Sequence, residues 1–220
     1  MHLDLMWRLE HGITCAFSTA ADGDLRDPLL RRGWLQRIGA VEPCAVMRQV
    51  HAVEVIEADP TMTPLAAADA QVSAGGMSLM VFGADCPGLC VAAPDVFAVA
   101  HCGWRGTAAG IAGALVAAVA RRSRQPPSQY AALIGPGIAW QEYEVDEPVL
   151  SARQWPPEAI RPSRTGHAWL DLTAAIAADL RAAGVVAVTR AVPRTSRDNR
   201  LWSYRQHGPG LVQGLVAWRG

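Results

Sequence analysis

Lysine is absent from all 220 residues, so every fixed side-chain cation is one of twenty arginines. Without a lysine amine the chain has no side chain for Schiff-base or pyridoxal chemistry. Net charge is absent as well, because twenty aspartates and glutamates balance the arginines. That balance removes the bias that would favour nucleic acid or an anionic membrane as a partner, and fits a small uncharged or modestly anionic ligand. A long apolar run is also missing. The longest stretch of small apolar residues, GIAGALVAAVA at 110–120, falls far short of the roughly 20 residues that span a bilayer. The opening MHLDLMWRLEHG lacks the basic and then apolar regions of a secretory signal, so a cytoplasmic location is expected. Cysteine is scarce and odd in number, at Cys15, Cys44, Cys86, Cys90 and Cys102. Such a set argues for reduced thiols or metal ligands over a disulfide framework.

Half of the residues are hydrophobic, enough to bury a sizeable core, so residues 1–220 are expected to form a single domain. No repeat, charge run or low-complexity linker divides the chain, and no feature of it specifies an oligomeric state. Short segments rich in Val, Ile and Phe, bounded by Gly, Pro or Asp, predict strands at 45–58, 78–84, 89–93, 97–101, 130–135 and 185–189. One helix is predicted from about Thr107, as its cap, to Arg122. A second runs from Asp171, as N-cap, to Ala183, with Gly184 as the stop and Leu172, Ile176 and Leu180 on one face. Strands interleaved with few helices indicate an α/β (α+β) layered sandwich with a mixed β-sheet. The proline pairs in 124–129 and 153–167 mark surface loops, the second either a lid or a plain connector.

Three segments end or interrupt a strand with a metal-competent or nucleophilic side chain. They are RQVHAVEV with His51, VFGADCPGLC with Asp85, Cys86 and Cys90, and AVAHCGWRG with His101 and Cys102. Two His and one Cys brought together by a sheet would make a three-ligand zinc site with a fourth position open for water or substrate. Taken singly, each of these side chains also fits a packed strand end, and Cys90 and Cys102 suit a reduced interior better than a metal. Alternation along a strand would put Gln49 on the face of His51 and turn Arg48 away. Arg105, near a helix start, could hold a phosphate or carboxylate, or simply stack on Trp104. Near the C-terminus, LWSYRQHG presents Ser203, Tyr204 and Arg205 either to a ligand or on an edge strand.

Together these stretches resemble the bacterial laccase-domain or polyphenol-oxidase-like proteins, whose mammalian relative is a purine nucleoside enzyme of macrophages. RQVHAVEV resembles the family's Q-V-H-G segment, AADAQVS at 67–73 its A-D-A segment, and GADCPGLCVAAPD its A-D-C-P segment. AVAHCGWRGTAAGI resembles A-H-A-G-W-R-G-T, IGPGIAWQEYEV resembles I-G-P-x-I-x-x-x-x-Y-E-V, and LWSYRQHG the F-S-Y-R-R-D ending. The resemblance implies a layered α/β fold, zinc held by His51, Cys86 and His101, and activity on purine nucleosides. It implies phosphorolysis of adenosine or inosine with phosphate, and deamination of adenosine. His51, Cys86, His101 and Arg105 then carry the catalysis, while Arg48, Gln49, Asp85, Trp104, Tyr204 and Arg205 contact substrate. The chain departs from the family pattern at Ala20, where an arginine is expected, and at Ala52, Cys102, Gly137, Gln206 and His207.

Other chemistries compete with this one. Blue multicopper oxidation uses several coppers and many imidazoles besides a cysteine, more than six histidines supply. A Cys-His hydrolase, with Cys86 as nucleophile and His101 or His51 as base, would act on an amide such as a peptidoglycan precursor. A binding module that keeps the metal for stability is a third reading.

Overall fold

Each long strand has two apolar faces, and the fold uses both. The computed structural model describes residues 5–192 and 194–220. Successive side chains along Ile13–Phe17, Ser78–Gly83 and Gln213–Arg219 point to opposite sides of a five-stranded sheet. One side, with Ala16, Met80, Val216 and Trp218, packs on the helix Pro28–Ile38 through Trp34 and Leu35. The other side, including Cys15, Phe17, Leu79 and Leu215, meets Cys90, Phe97, Val99 and Leu133 of a second, six-stranded sheet. The far face of that second sheet, with Leu89, Val91, Ala100 and Ile134, is covered by the helices Ile111–Ala120 and Leu172–Ala182. A helix, sheet, sheet, helix sandwich results, which realises the expected mixed α/β layering. Full burial of one such aliphatic or aromatic side chain contributes about 1.5–3 kcal/mol.

The register of the six-stranded sheet positions the site. Its order is Ala187–Arg190, Ala131–Ile134, Gly88–Ala92, Phe97–His101, Ala70–Ser73 and Val55–Glu57. Arg190 pairs with Ile134, Leu89 with Ile134, Gly88 with His101, Ala70 with Ala100, and Val55 with Ala70. All six strands therefore present one row at the same end. The segments carrying His51, Asp69, Cys86 and His101 adjoin that row.

Several expectations are corrected. The segment 45–58 is not one strand, because only Cys44–Ala45 and Val55–Glu57 are extended ladders. Between them the backbone turns at His51, whose φ is 60°, and the N–H groups of Val50 and Ala52 bind a side chain rather than a neighbouring strand. Gln49 and His51 thus share no strand face. The helix from 107 to 122 is two helices, Trp104–Ala108 and Ile111–Ala120. They are divided at Gly110, whose φ of 92° no helix interior accommodates. Thr107 lies buried inside the first of these, whose N-cap is Gly103, so it caps nothing. Asp171 caps the helix Leu172–Ala182 as expected, accepting from the Ala174 N–H at 2.9 Å.

The segment 153–167 holds a strand, Ile160–Pro162, paired with Ala168–Leu170. Arg153 pins its start to Asp179 through bonds of 2.8 and 3.0 Å. Residues 204–207 form one helical turn capped by Ser203, and no edge strand. The helix Pro28–Ile38 and the strands Met6–Arg8, Ile13–Phe17, Ala70–Ser73 and Gln213–Arg219 were not anticipated.

Candidate metal centre

His101 is the last residue of its strand and is buried. Cys86 lies in the turn that leads into Gly88–Ala92, and His51 in the irregular segment ahead of Val55. The row of strand ends brings the three together: one imidazole nitrogen from each histidine and the Cys86 Sγ lie within 4.8 Å of one another. The two imidazole rings meet edge to face, with centroids 4.8 Å apart at 84°. A tetrahedral ion with bonds of about 2.0–2.3 Å holds its donors about 3.5 Å apart, so small side-chain rotations close this triangle on an ion. Gly103 leaves the room. A Cβ there would sit 2.9 Å from His51 Cδ2, 3.2 Å from Cys86 Sγ and 3.5 Å from His101 Cε1. A borderline-soft N, N, S donor set around a space that any other residue would fill fits a metal ion of the zinc type.

One buried carboxylate organises two of the three candidate ligands. Asp69 Oδ1 pairs with His101 Nδ1 at 2.8 Å, and its Oδ2 accepts the N–H groups of Val50 at 2.9 Å and Ala52 at 2.8 Å, on either side of His51. Holding His101 by Nδ1 leaves Nε2 as the ligand atom. Burial opposes the charge on Asp69, but these bonds hold its carboxyl down to about 2. Burial likewise disfavours a charged His101, yet the Asp69 and Cys86 partners raise it to about 9. The Cys86 thiol, which burial alone would push up, is brought down to about 7 by bonds and charge from His101 and His51. Without metal these shifts favour a thiolate–imidazolium pair backed by a carboxylate.

Asp85 does a different job. Its backbone is left-handed, with φ of 93°. Its carboxylate accepts Thr195 Oγ1 at 2.5 Å, Ser203 Oγ at 3.0 Å and the Arg205 N–H at 2.8 Å. It thereby clamps the 195–205 segment against the Cys86 turn. Arg205 in turn lies over the Tyr143 ring at 5.3 Å and donates to the Glu144 carbonyl at 3.3 Å. Burial, then the negative charges of Cys86 and Asp85, hold the Tyr143 hydroxyl well above the usual phenol range despite Arg205 and Arg105. That hydroxyl stays a donor within electrostatic reach of the centre.

The remaining residues spread around this core. Arg105 is exposed and stacks on Trp104 at 4.3 Å. Arg48 is exposed, bridging Ala67 through its backbone. Both ends of the Gln49 amide are taken up by the Phe82 backbone, at 2.8 and 2.7 Å. Tyr204 is exposed on the short C-terminal helix. Cys90 packs between the sheets and Cys102 under the helices, both fully buried. Ala20 donates its N–H to the Arg200 carbonyl at 2.8 Å. Sequence reasoning missed Asp69, Gly103 and Tyr143 as parts of the site. Each lay in a quoted stretch, AADAQVS, AHCGWRG and WQEYEV, but without a third dimension none has a partner to reveal its part.

Among the described residues, no helix is long and apolar enough to cross a membrane. Residues 30–218 match the family described as multi-copper polyphenol oxidoreductase laccase. The chain is 33% identical over 189 residues to the purine nucleoside phosphorylase of Xylella fastidiosa, covering 79% of this chain and 71% of that one. To the purine nucleoside phosphorylase of Streptomyces coelicolor it is 34% identical over 187 residues, 80% of this chain and 76% of the other. The crystal structure of YlmD from Geobacillus stearothermophilus superposes with a TM-score of 0.85 at 24% identity, over 97% and 96% of the two chains, and shows the same fold. The chain belongs to the multi-copper polyphenol oxidoreductase laccase family.

Proposed function

We propose that this chain is a cytoplasmic, zinc-dependent enzyme acting on purine nucleosides. In this reading it cleaves adenosine or inosine with phosphate and deaminates adenosine. The observation that carries the proposal is the His51, Cys86, His101 triangle beside Gly103, in a chain whose relatives bear the name purine nucleoside phosphorylase. Zinc is the ion that suits two imidazoles, one thiolate and an open fourth position, and it supplies Lewis acidity toward water or a phosphoryl oxygen. The chain's own groups do the rest. In phosphorolysis a phosphate oxygen bonds to the ribose C1′ while the bond to the base nitrogen breaks, and that nitrogen takes up a proton. Arg105 and Arg205 offer guanidinium groups for the phosphate, with Arg48 as a further exposed cation. The Tyr143 hydroxyl, kept protonated, can donate to the departing base, and Trp104 and Tyr204 offer ring faces to it.

The test is a nucleoside panel incubated with phosphate and purified protein, with Cys86→Ala as the paired control. Free base with pentose phosphate, or inosine from adenosine, is expected from the parent and not from the variant. A folded, zinc-loaded protein that leaves the panel unchanged would sink the reading.

One observation favours a second reading. Cys86, His101 and Asp69 form a thiol, imidazole, carboxylate series, the arrangement of a cysteine hydrolase acting on an amide. Metal dependence separates the two. Chelation should abolish nucleoside cleavage, whereas a thiol nucleophile would survive a chelator and succumb to alkylation.

A further inference from the structure

A cavity opens at the same end of the six-stranded sheet, away from the candidate metal centre. It measures about 480 Å³, and its lining includes Trp140, Asp171, Arg190, Arg194 and Arg197. Arg190 ends one strand and Ile134 the next, and these two strands run parallel. Loops leaving the carboxyl ends of adjacent parallel strands make the crevice in which α/β sheets hold ligands. Arg190 lies three strands from His101 in the sheet order, about 14 Å at the usual strand spacing.

Two guanidinium groups in this cavity, those of Arg190 and Arg197, are only partly used by the protein itself. Arg190 spends Nη2 alone, on the two Asp171 oxygens at 3.0 and 2.9 Å and on Thr173. Its Nε and Nη1 bond to nothing among the described residues. Arg197 touches Glu142 through Nε at 3.3 Å, and the terminal nitrogens of its fork bond to nothing among the described residues. Trp140 supplies an aromatic wall. One face of its ring carries the Arg161 guanidinium at 4.3 Å, which lies outside the lining. Arginine forks match phosphate oxygens, an indole edge or face suits a ring, and the volume falls in the range of small-molecule sites.

We propose that this cavity is a second binding site, built for a phosphorylated small molecule that carries an aromatic ring, as a nucleotide does. The proposal stands apart from the reading of the metal centre, since none of its residues is a candidate metal ligand. The full-length protein titrated calorimetrically with ADP, pyrophosphate and adenosine tests it. ADP is expected to bind more tightly than either fragment, and Arg197→Ala to weaken it about tenfold. Arg197→Gln, which keeps more of the side-chain stem, should show the same loss with an unchanged melting temperature. Cys86→Ala should leave ADP affinity within about twofold. The proposal is overturned by undetectable ADP binding at about millimolar concentration, by ADP affinity untouched in both Arg197 variants, by loss of ADP binding in Cys86→Ala, or by pyrophosphate binding as tightly as ADP.

Discussion

The Asp69 carboxylate lies 2.8 Å from His101 Nδ1, with both groups buried in the interior. The same carboxylate caps the turn that carries His51, so one side chain sets the direction of two ligands. Asp69→Asn keeps the shape but loses the charge, and it sets an amide N–H₂ either against His101 or against the two backbone donors. Metal affinity should fall about 10–100-fold, read by competition with a chromophoric chelator. An unchanged affinity would mean that the imidazoles are held by packing alone.

Gly103→Ala places a methyl group where the three ligands converge, 2.9 Å from His51 Cδ2 and 3.2 Å from Cys86 Sγ. The residue has an ordinary φ of −66°, so the substitution acts through space and not through backbone strain. Elemental analysis should find the metal largely lost, while circular dichroism retains the parent spectrum. Full occupancy in the alanine variant would show that the centre can open to admit a methyl group.

The Cys86 thiol sits near 7 where an unperturbed cysteine sits at 9.0. Its thiolate population in the metal-free protein therefore grows as pH rises through about 7. Iodoacetamide should modify Cys86 with a midpoint near that pH, more slowly in acid, and saturating zinc should protect it. The charge pair has a matching stability window. The depressed thiol contributes stability that is complete above its unfolded value of 9.0 and is lost as pH falls through about 7. The raised His101 contributes stability complete below its ordinary 6.5 and lost as pH rises through about 9. Between about 7 and 9 the gain from the thiol and the loss from the imidazole run in opposite directions, so the melting temperature of the metal-free protein should change little across that range. A melting temperature that climbs or falls steeply through that range would refute the pairing.

Asp85 gathers three donors from the segment that follows the last strand of the six-stranded sheet. Asp85→Ala strands those donors beside the Cys86 turn, and the expected cost is about 2–4 kcal/mol in denaturant unfolding. Loss of stability under about 0.5 kcal/mol would mean that water replaces the carboxylate without penalty.

The layers were legible in the sequence because the central strands are continuous apolar runs between turn residues. Phe97–His101 was located to the residue, and Leu172–Ala182 was framed by Asp171 and Gly184. The candidate trio stood out as chemistry, since His51, Cys86 and His101 each lie in or at the end of a segment read as strand. What failed did so for physical reasons. His51 sits at positive φ on a turn held by a carboxylate eighteen residues away, and local alternation cannot report such a long-range bond. Gln213–Arg219 and Ile13–Phe17 reached no assignment, although they pair across almost the whole chain. Gly103 has no side chain to draw notice, yet it is the residue that keeps the centre open. Gln49, by contrast, was expected on the strand face of His51 and instead clamps the Phe82 backbone.

The row of strand ends has a consequence for how this fold can change its business. Ladder hydrogen bonds fix where His101, Cys86 and Asp69 stand, and lengthening a loop leaves those ladders in register. Residues 59–66 join Val55–Glu57 to Ala70–Ser73 without carrying a member of the trio. They are the places to graft new recognition segments, by an engineer or by descent, with the reactive group handed on intact beneath them.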